Sequence, residues 1–94
     1  MTTLTDAEIE QRLTEIGGWR RGEGSSIVRE LAFADFAAAI AYVNRVAELA
    51  EAANHHPDIL VHSWNRVRLT LSTHSQGGLT GADFKLAGQI DQLA

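Results

Sequence analysis

Apolar residues recur at helical spacing in three stretches of the chain. The first begins after Thr5, which is placed to form a capping box with Glu8. It ends at the glycine pair 17–18, since glycine accepts the left-handed conformation that closes a helix. The second begins after Asp35, a favourable N-cap, and must end just before Pro57, because proline disfavours helical geometry at the preceding residue. The apolar face predicted for this second helix consists of Phe36, Ile40, Val43, Ala47 and Ala50, and Ala39 and Val46 widen it.

Strand-like patterns fill the intervals between the helical stretches. Alternating apolar and polar residues, bounded by turn residues, predict strands at residues 19–21, 26–33, 58–64 and 66–73. The third helix begins at Thr80, with Asp83 in the capping-box position. The order α-β-β-α-β-β-α with short connections predicts a two-layer α+β fold, in which three helices pack on one face of a four-stranded antiparallel sheet.

Composition narrows the class of protein. The 94 residues, 45% hydrophobic and 21% charged, predict one globular domain over residues 1–94, with a stability margin thin enough to favour an oligomer. The net charge of −4 argues against nucleic-acid binding, and the lack of cysteine excludes disulfides and thiolate metal sites. Without a signal-peptide pattern or an apolar run of about 20 residues, we expect a cytoplasmic protein with no membrane partner.

All four histidines lie in one window of the chain, at His55, His56, His62 and His74. Because imidazole ordinarily titrates near neutral pH, such a cluster indicates proton transfer or metal binding. Glu51 lies four residues before His55, so the two would share a helical face, and both Glu51 and the helix C-terminus would favour a protonated His55. The alternative is a surface ion pair worth about 0.3–0.5 kcal/mol. His62 lies within a strand and is interpreted as structural.

The remaining candidates also have structural alternatives. His56 could line a pocket or be a solvated helix end, and His74 ends a strand at a loop, a frequent place for functional groups. A metal held by His55 or His56 with His74 and a carboxylate stays possible, although the His-x-x-x-His spacing of helical metal ligands is absent. Asp83 caps a helix and could also line a pocket, and Trp64 is interpreted as a core or pocket-wall aromatic.

The same residues resemble a family signature. The pattern is similar to that of the pterin-4a-carbinolamine dehydratases, also known as dimerisation cofactors of a homeodomain transcription factor. The segments "GW", "FADF" and "LTLSTH" match as well, so the resemblance covers nearly the whole chain. The residues of the motif are Glu51, His55, His56, Pro57, Trp64, His74 and Asp83.

The resemblance implies the fold described above and a specific reaction. The reaction is the dehydration of 4a-hydroxytetrahydropterin to quinonoid dihydropterin and water, which recycles the tetrahydrobiopterin used by aromatic amino-acid hydroxylases. The resemblance implies neither a metal nor a cofactor. The pterin is the substrate of the reaction. The step requires proton transfers only, and general acid–base groups typically contribute about 10²- to 10⁴-fold each.

Roles follow from the resemblance position by position. His55 and His74 would be the acid–base pair, and His56 would orient the pterin and share in catalysis. Glu51 would orient His55 or tune its charge, and Asp83 would complete the pocket, with His74 as one point of contact. The residues expected to bind the substrate are Glu51, Pro57, Trp64 and Asp83.

The resemblance also concerns partners. It implies a homodimer or homotetramer and a functional link to an aromatic amino-acid hydroxylase. The alternative function is a non-catalytic one, in which the same fold serves as a protein-binding, dimerisation or assembly cofactor. The intact histidine cluster favours the enzyme, because a binding role does not require it.

Overall fold

The predicted order of helices and strands is confirmed. The structure is a computed structural model that describes residues 3–93, with the side chain of His74 outside the described part. Its elements are α1 (Asp6–Leu13), β1 (Trp19–Arg21), β2 (Ile27–Ala32), α2 (Phe36–Ala53), β3 (Asp58–His62), β4 (Arg66–Leu71), a 3₁₀ turn (His74–Gln76) and α3 (Gly81–Asp91).

Local sequence signals set the helix ends that border the site. α2 ends at Ala53 because Asn54 adopts the left-handed conformation, with φ of 50°, which asparagine tolerates better than most residues. α3 begins after Thr80, whose hydroxyl accepts the backbone N–H of Ala82 while the carboxylate of Asp83 accepts the backbone N–H of Thr80. The predicted capping boxes of α1 and α3 are both present.

The sheet has the strand order β1-β2-β4-β3, and all neighbouring strands are antiparallel. Along the inner strand β4, Val67, Leu69 and Leu71 are fully buried, and the alternate residues Arg66 and Arg68 are exposed. The helices therefore cover one face of the sheet, as predicted, and the other face is mostly polar, with Val28 and Leu60 as its larger apolar side chains. Among the described residues, no helix combines the length and apolar character needed to cross a bilayer.

The predicted apolar face of α2 is partly wrong. Phe36 is 54% exposed and Ala47 is also exposed, although both belong to the predicted stripe. Alanine is frequent all around this helix, so hydrophobicity alone defines its orientation poorly, and the larger side chains decide which face packs. The residues of α2 that are buried in the core are Ala39, Tyr42, Val46 and Ala50, and all but Tyr42 belong to the predicted face.

Arg29 interrupts the apolar face of β2, a position where an arginine is easiest to accommodate at a sheet edge, but it lies inside the sheet. β2 lies between β1 and β4, and Arg29 points towards the helices. It forms an ion pair with Asp91 at the end of α3, and Asp91 also accepts the indole N–H of Trp19 at 2.8 Å. A partly buried charge is tolerated there because its partner is supplied by a distant helix.

Candidate functional site

The two adjacent histidines follow the end of α2 but have different partners. His55 Nε2 lies 2.6 Å from Asp83 Oδ1, and His56 Nε2 contacts the carboxylate of Glu51. The predicted pairing of Glu51 with His55 is therefore wrong. That pairing assumed that the helix continues through His55, whereas the left-handed turn at Asn54 ends it and redirects both imidazoles.

The carboxylate of Asp83 is completely buried and fully hydrogen-bonded. Its Oδ2 accepts the hydroxyl of Thr73 at 2.8 Å and the backbone N–H of Thr80 at 2.9 Å, and its Oδ1 faces His55. These contacts replace the water that burial removes, which makes a buried carboxylate tolerable. Asp83 is thus the helix cap predicted from the sequence and the partner of a candidate catalytic histidine.

This contact distinguishes the two nitrogens of the His55 ring. A carboxylate oxygen only accepts hydrogen bonds, so the hydrogen in the contact between His55 and Asp83 is on the ring nitrogen. Nε2–H therefore donates to Asp83 Oδ1, and a neutral His55 has its lone pair on Nδ1. Any proton that His55 exchanges with a ligand passes through Nδ1.

A cleft of about 620 Å³ lies between α2 and α3, and His55 is part of its wall. Its walls are mainly apolar, and His55, Lys85 and Gln89 contribute polar groups. Lys85 is the only lysine of the chain. A largely apolar cleft with few polar groups is typical of small-molecule sites. The lining residues are Leu49, Ala52, Ala53, His55, Gly81, Ala82, Lys85, Leu86 and Gln89.

The other predicted site residues are spread around this cleft or away from it. Glu51 and His56 are exposed, with 76% and 56% of their side chains accessible, and Pro57 is partly buried. Trp64 is 61% exposed at the tip of the β3–β4 hairpin, separated from Pro57 by the whole of β3, roughly 15 Å or more. The side chain of His74 lies outside the described part, so its predicted role stays a prediction.

Metal binding is the alternative chemistry that the histidine cluster indicates. Within residues 3–93, leaving aside the side chain of His74, no three histidine, cysteine, aspartate or glutamate residues are grouped so that they could hold an ion. The described contacts of His55 and His56 are each to a single carboxylate. The geometry of these two histidines therefore suits proton transfer.

Comparison with protein-family models gives a match over residues 2–93 to the model described as pterin 4 alpha carbinolamine dehydratase. The chain belongs to this family. The pterin carbinolamine dehydratase family thus covers nearly all of the sequence, in agreement with the resemblance of the histidine motif.

Curated relatives within the family are similar over their full lengths. A protein of Roseiflexus castenholzii, provisionally named pterin-4-alpha-carbinolamine dehydratase, is 54% identical over 90 residues, which cover 96% of this chain and 95% of that protein. A protein of Thermomicrobium roseum with the same provisional name is 51% identical over 94 residues, which cover 100% and 99% of the two chains.

Two solved structures share the fold. The transcriptional coactivator/pterin dehydratase of Brucella melitensis superposes with a TM-score of 0.93 at 34% identity, covering 99% of each chain. A pterin dehydratase-like protein described as a RuBisCO assembly factor in the alpha-carboxysome superposes with a TM-score of 0.68 at 28% identity, covering 82% of this chain and 89% of that one. The same fold therefore occurs in one protein described as a coactivator and pterin dehydratase and in another described as an assembly factor.

Sequence reasoning missed several residues of the site. Thr73 and Thr80, which hold Asp83, carry no motif of their own, although Thr80 was identified as a helix start. Lys85 and Gln89 were also missed, because their spacing of one helical turn only becomes meaningful when α2 packs opposite them. The alanines of α2 and α3 were the available signal, since small side chains leave room between helices.

Proposed function

We propose that this protein dehydrates 4a-hydroxytetrahydropterin to quinonoid dihydropterin, with His55 as one of its proton-transfer groups. The observation that supports this most is the contact of His55 with the buried Asp83 beside a cleft of about 620 Å³. Membership of the pterin carbinolamine dehydratase family supplies the substrate class.

The reaction is an elimination of water. A general acid protonates the hydroxyl on C4a, the C4a–O bond breaks, and the oxygen leaves as water. A general base takes a proton from a ring nitrogen, which leaves the neutral dihydropterin. No electrons are exchanged with another molecule, so the proposal includes neither a metal nor a redox cofactor.

His55 is suited to this chemistry because its environment fixes one protonation site. Asp83 holds Nε2–H and stabilises the positive charge that forms when Nδ1 takes a proton. His56, oriented by Glu51, and His74 are proposed as the groups that orient the pterin and complete the proton transfer. The mainly apolar cleft beside His55 can bind the faces of a planar bicyclic ring.

A coupled assay tests the proposal. An aromatic amino-acid hydroxylase generates 4a-hydroxytetrahydropterin, and the ultraviolet absorbance follows its dehydration with and without this protein. We expect the wild-type protein to accelerate the step and His55→Ala to lower kcat by about 10²- to 10⁴-fold. His62→Ala is the matched control, because His62 lies in the edge strand β3 and its side chain hydrogen-bonds to Ser63 at 3.2 Å, away from the cleft beside His55. Turnover by His55→Ala at the level of His62→Ala would refute the assignment.

A protein-binding role is the second candidate, since a relative of the same fold is described as an assembly factor. The exposed side chains of Phe36, Leu60 and Trp64 offer apolar contact surface for it. A folded wild-type protein without dehydratase turnover would favour this role. The dehydratase proposal also includes a homodimer or homotetramer, a cytoplasmic location and a functional link to an aromatic amino-acid hydroxylase. Light scattering tests the oligomeric state.

A further inference from the structure

Behind His55, a chain of hydrogen bonds crosses the buried boundary between the end of β4 and the start of α3. Thr73 Oγ1 lies 2.8 Å from Asp83 Oδ2 and 2.9 Å from Thr80 Oγ1, and the Thr80 hydroxyl accepts the backbone N–H of Ala82 at 3.3 Å. Thr80 and Asp83 are completely buried, and Thr73 is 9% exposed. Water therefore has little access to replace any of these contacts.

Counting the available hydrogens shows which group donates in each of these hydrogen bonds. A threonine hydroxyl has one hydrogen, and that of Thr73 is donated to the carboxylate of Asp83. The 2.9 Å contact between the two hydroxyls must then be a donation from Thr80 to Thr73. The chain runs from the N–H of Ala82 through Thr80 and Thr73 to Asp83 Oδ2, so Oδ1 is the oxygen left to accept from His55.

We propose that Thr73 is a positioning residue for the dehydratase reaction, acting through Asp83 to fix the tautomer and orientation of the His55 ring. This inference rests on the proposed function of His55. Thr73 does not touch the cleft, and its hydroxyl is the only side-chain donor to Asp83 Oδ2 within the described part of the chain. Without that donor, the carboxylate is held at Oδ2 by the Thr80 N–H alone and can turn away from His55.

Thr73 also connects these hydrogen bonds to the loop that contains His74, the second predicted catalytic histidine. It precedes His74 in the sequence, and its backbone pairs with Gly78 through hydrogen bonds of 3.2 and 3.4 Å that close the loop. One residue thus anchors Asp83 by its side chain and the base of the His74 loop by its backbone. A change confined to the side chain tests the first function and leaves the backbone bonds available.

Three variants separate positioning from stability. Thr73→Val keeps the shape of the side chain but removes the donor, Thr73→Ser restores the donor, and Thr70→Val makes the same change at a β4 residue outside the hydrogen-bond chain. We expect Thr73→Val to lower kcat roughly 10- to 100-fold with KM changed less than about twofold, the range found when partners that orient a metal-binding imidazole are lost. Thr73→Ser should recover most of the turnover, and Thr70→Val should match the wild type.

Nitrogen-15 NMR of the His55 ring gives a readout that does not depend on turnover. The wild-type spectrum should show the Nε2–H tautomer, and Thr73→Val should show averaging between tautomers, with Thr73→Ser close to the wild type. A wild-type protein without dehydratase activity would refute the proposed function, and the NMR comparison would still decide the positioning role. A Thr73→Val variant with the kcat of the wild type would overturn the inference. If the wild-type protein has no activity, an unchanged His55 ring spectrum in Thr73→Val would overturn it. A Thr73→Ser variant that recovers no more turnover or tautomer order than Thr73→Val would also overturn it.

Discussion

His55 and His56 are neighbours in sequence, each bound to a carboxylate, yet their surroundings differ. The His55–Asp83 pair is mostly buried, with 15% and 0% of the side chains exposed, whereas the His56–Glu51 pair is 56% and 76% exposed. Removing one partner of a buried pair typically costs about 3–5 kcal/mol, and an exposed pair contributes about 0–1 kcal/mol. Burial therefore decides how much a histidine–carboxylate contact contributes to stability and how firmly it holds the imidazole.

The largest difference should appear when each carboxylate is removed. We expect Asp83→Ala to lower the free energy of unfolding by about 3–5 kcal/mol, because it leaves His55, Thr73 and the Thr80 N–H without their buried acceptor. Glu51→Ala is the matched change on the exposed pair and should cost less than about 1 kcal/mol. Urea denaturation of both variants measures this, and equal losses would remove the distinction between the two pairs.

Filling the cleft should show that the substrate binds on the His55 side. Ala53→Leu places a larger side chain in the wall of the cleft, so we expect KM to rise roughly tenfold or more as the pterin loses its contact area. Ala37→Leu adds the same bulk to an exposed position of α2 outside the cleft and should leave KM within about twofold. Steady-state kinetics of the two variants measures this difference in KM. Equal KM values would mean that the pterin binds outside this cleft.

Salt should weaken only the exposed pair. With His56 protonated, a double-mutant cycle of His56→Ala and Glu51→Ala should give a coupling free energy below about 1 kcal/mol at low salt. It should fall towards zero in 1 M salt, because solvent ions screen exposed charges. The corresponding cycle for His55 and Asp83 should change little. A salt-resistant coupling between His56 and Glu51 would show that this pair is more shielded than its exposure indicates.

The smallest effect is expected at the far end of β3. Trp64 lies at the hairpin tip, so Trp64→Ala should leave kcat/KM within about twofold, even though sequence reasoning placed this residue in the pocket. The same coupled assay measures it. A loss of tenfold or more would mean that Trp64 reaches a substrate, in this chain or in a second copy.

The helix ends and the buried strand face could be predicted from the sequence, because they depend on residues that are close together along the chain. The capping residues Thr5, Asp35 and Thr80 start the three helices, and Pro57 correctly predicts that α2 ends shortly before it. Strand alternation in β4 identified its buried face. These features follow from local backbone geometry and periodicity, which need no knowledge of tertiary contacts.

The pairings within the site could not be predicted in the same way. Asp83 meets His55 across 28 positions of sequence, and only the packing of α3 beside the end of α2 brings them together. The helical spacing of Glu51 and His55 favoured the wrong pair because the termination of α2 depends on one left-handed residue, Asn54. The motif identified the participating residues, and tertiary structure was needed to assign their partners.

Asp83 fixes His55 with its proton on Nε2, and the substitution Asp83→Asn changes this arrangement while keeping the size of the side chain. The hydroxyl of Thr73 and the N–H of Thr80 require an acceptor, so the amide oxygen should take the Oδ2 position and the amide NH₂ should face His55. The ring would then accept at Nε2 and place its proton on Nδ1. We expect a folded protein whose kcat falls by about 10²- to 10⁴-fold in the coupled assay. A folded Asp83→Asn variant with kcat within about twofold of the wild type would contradict it.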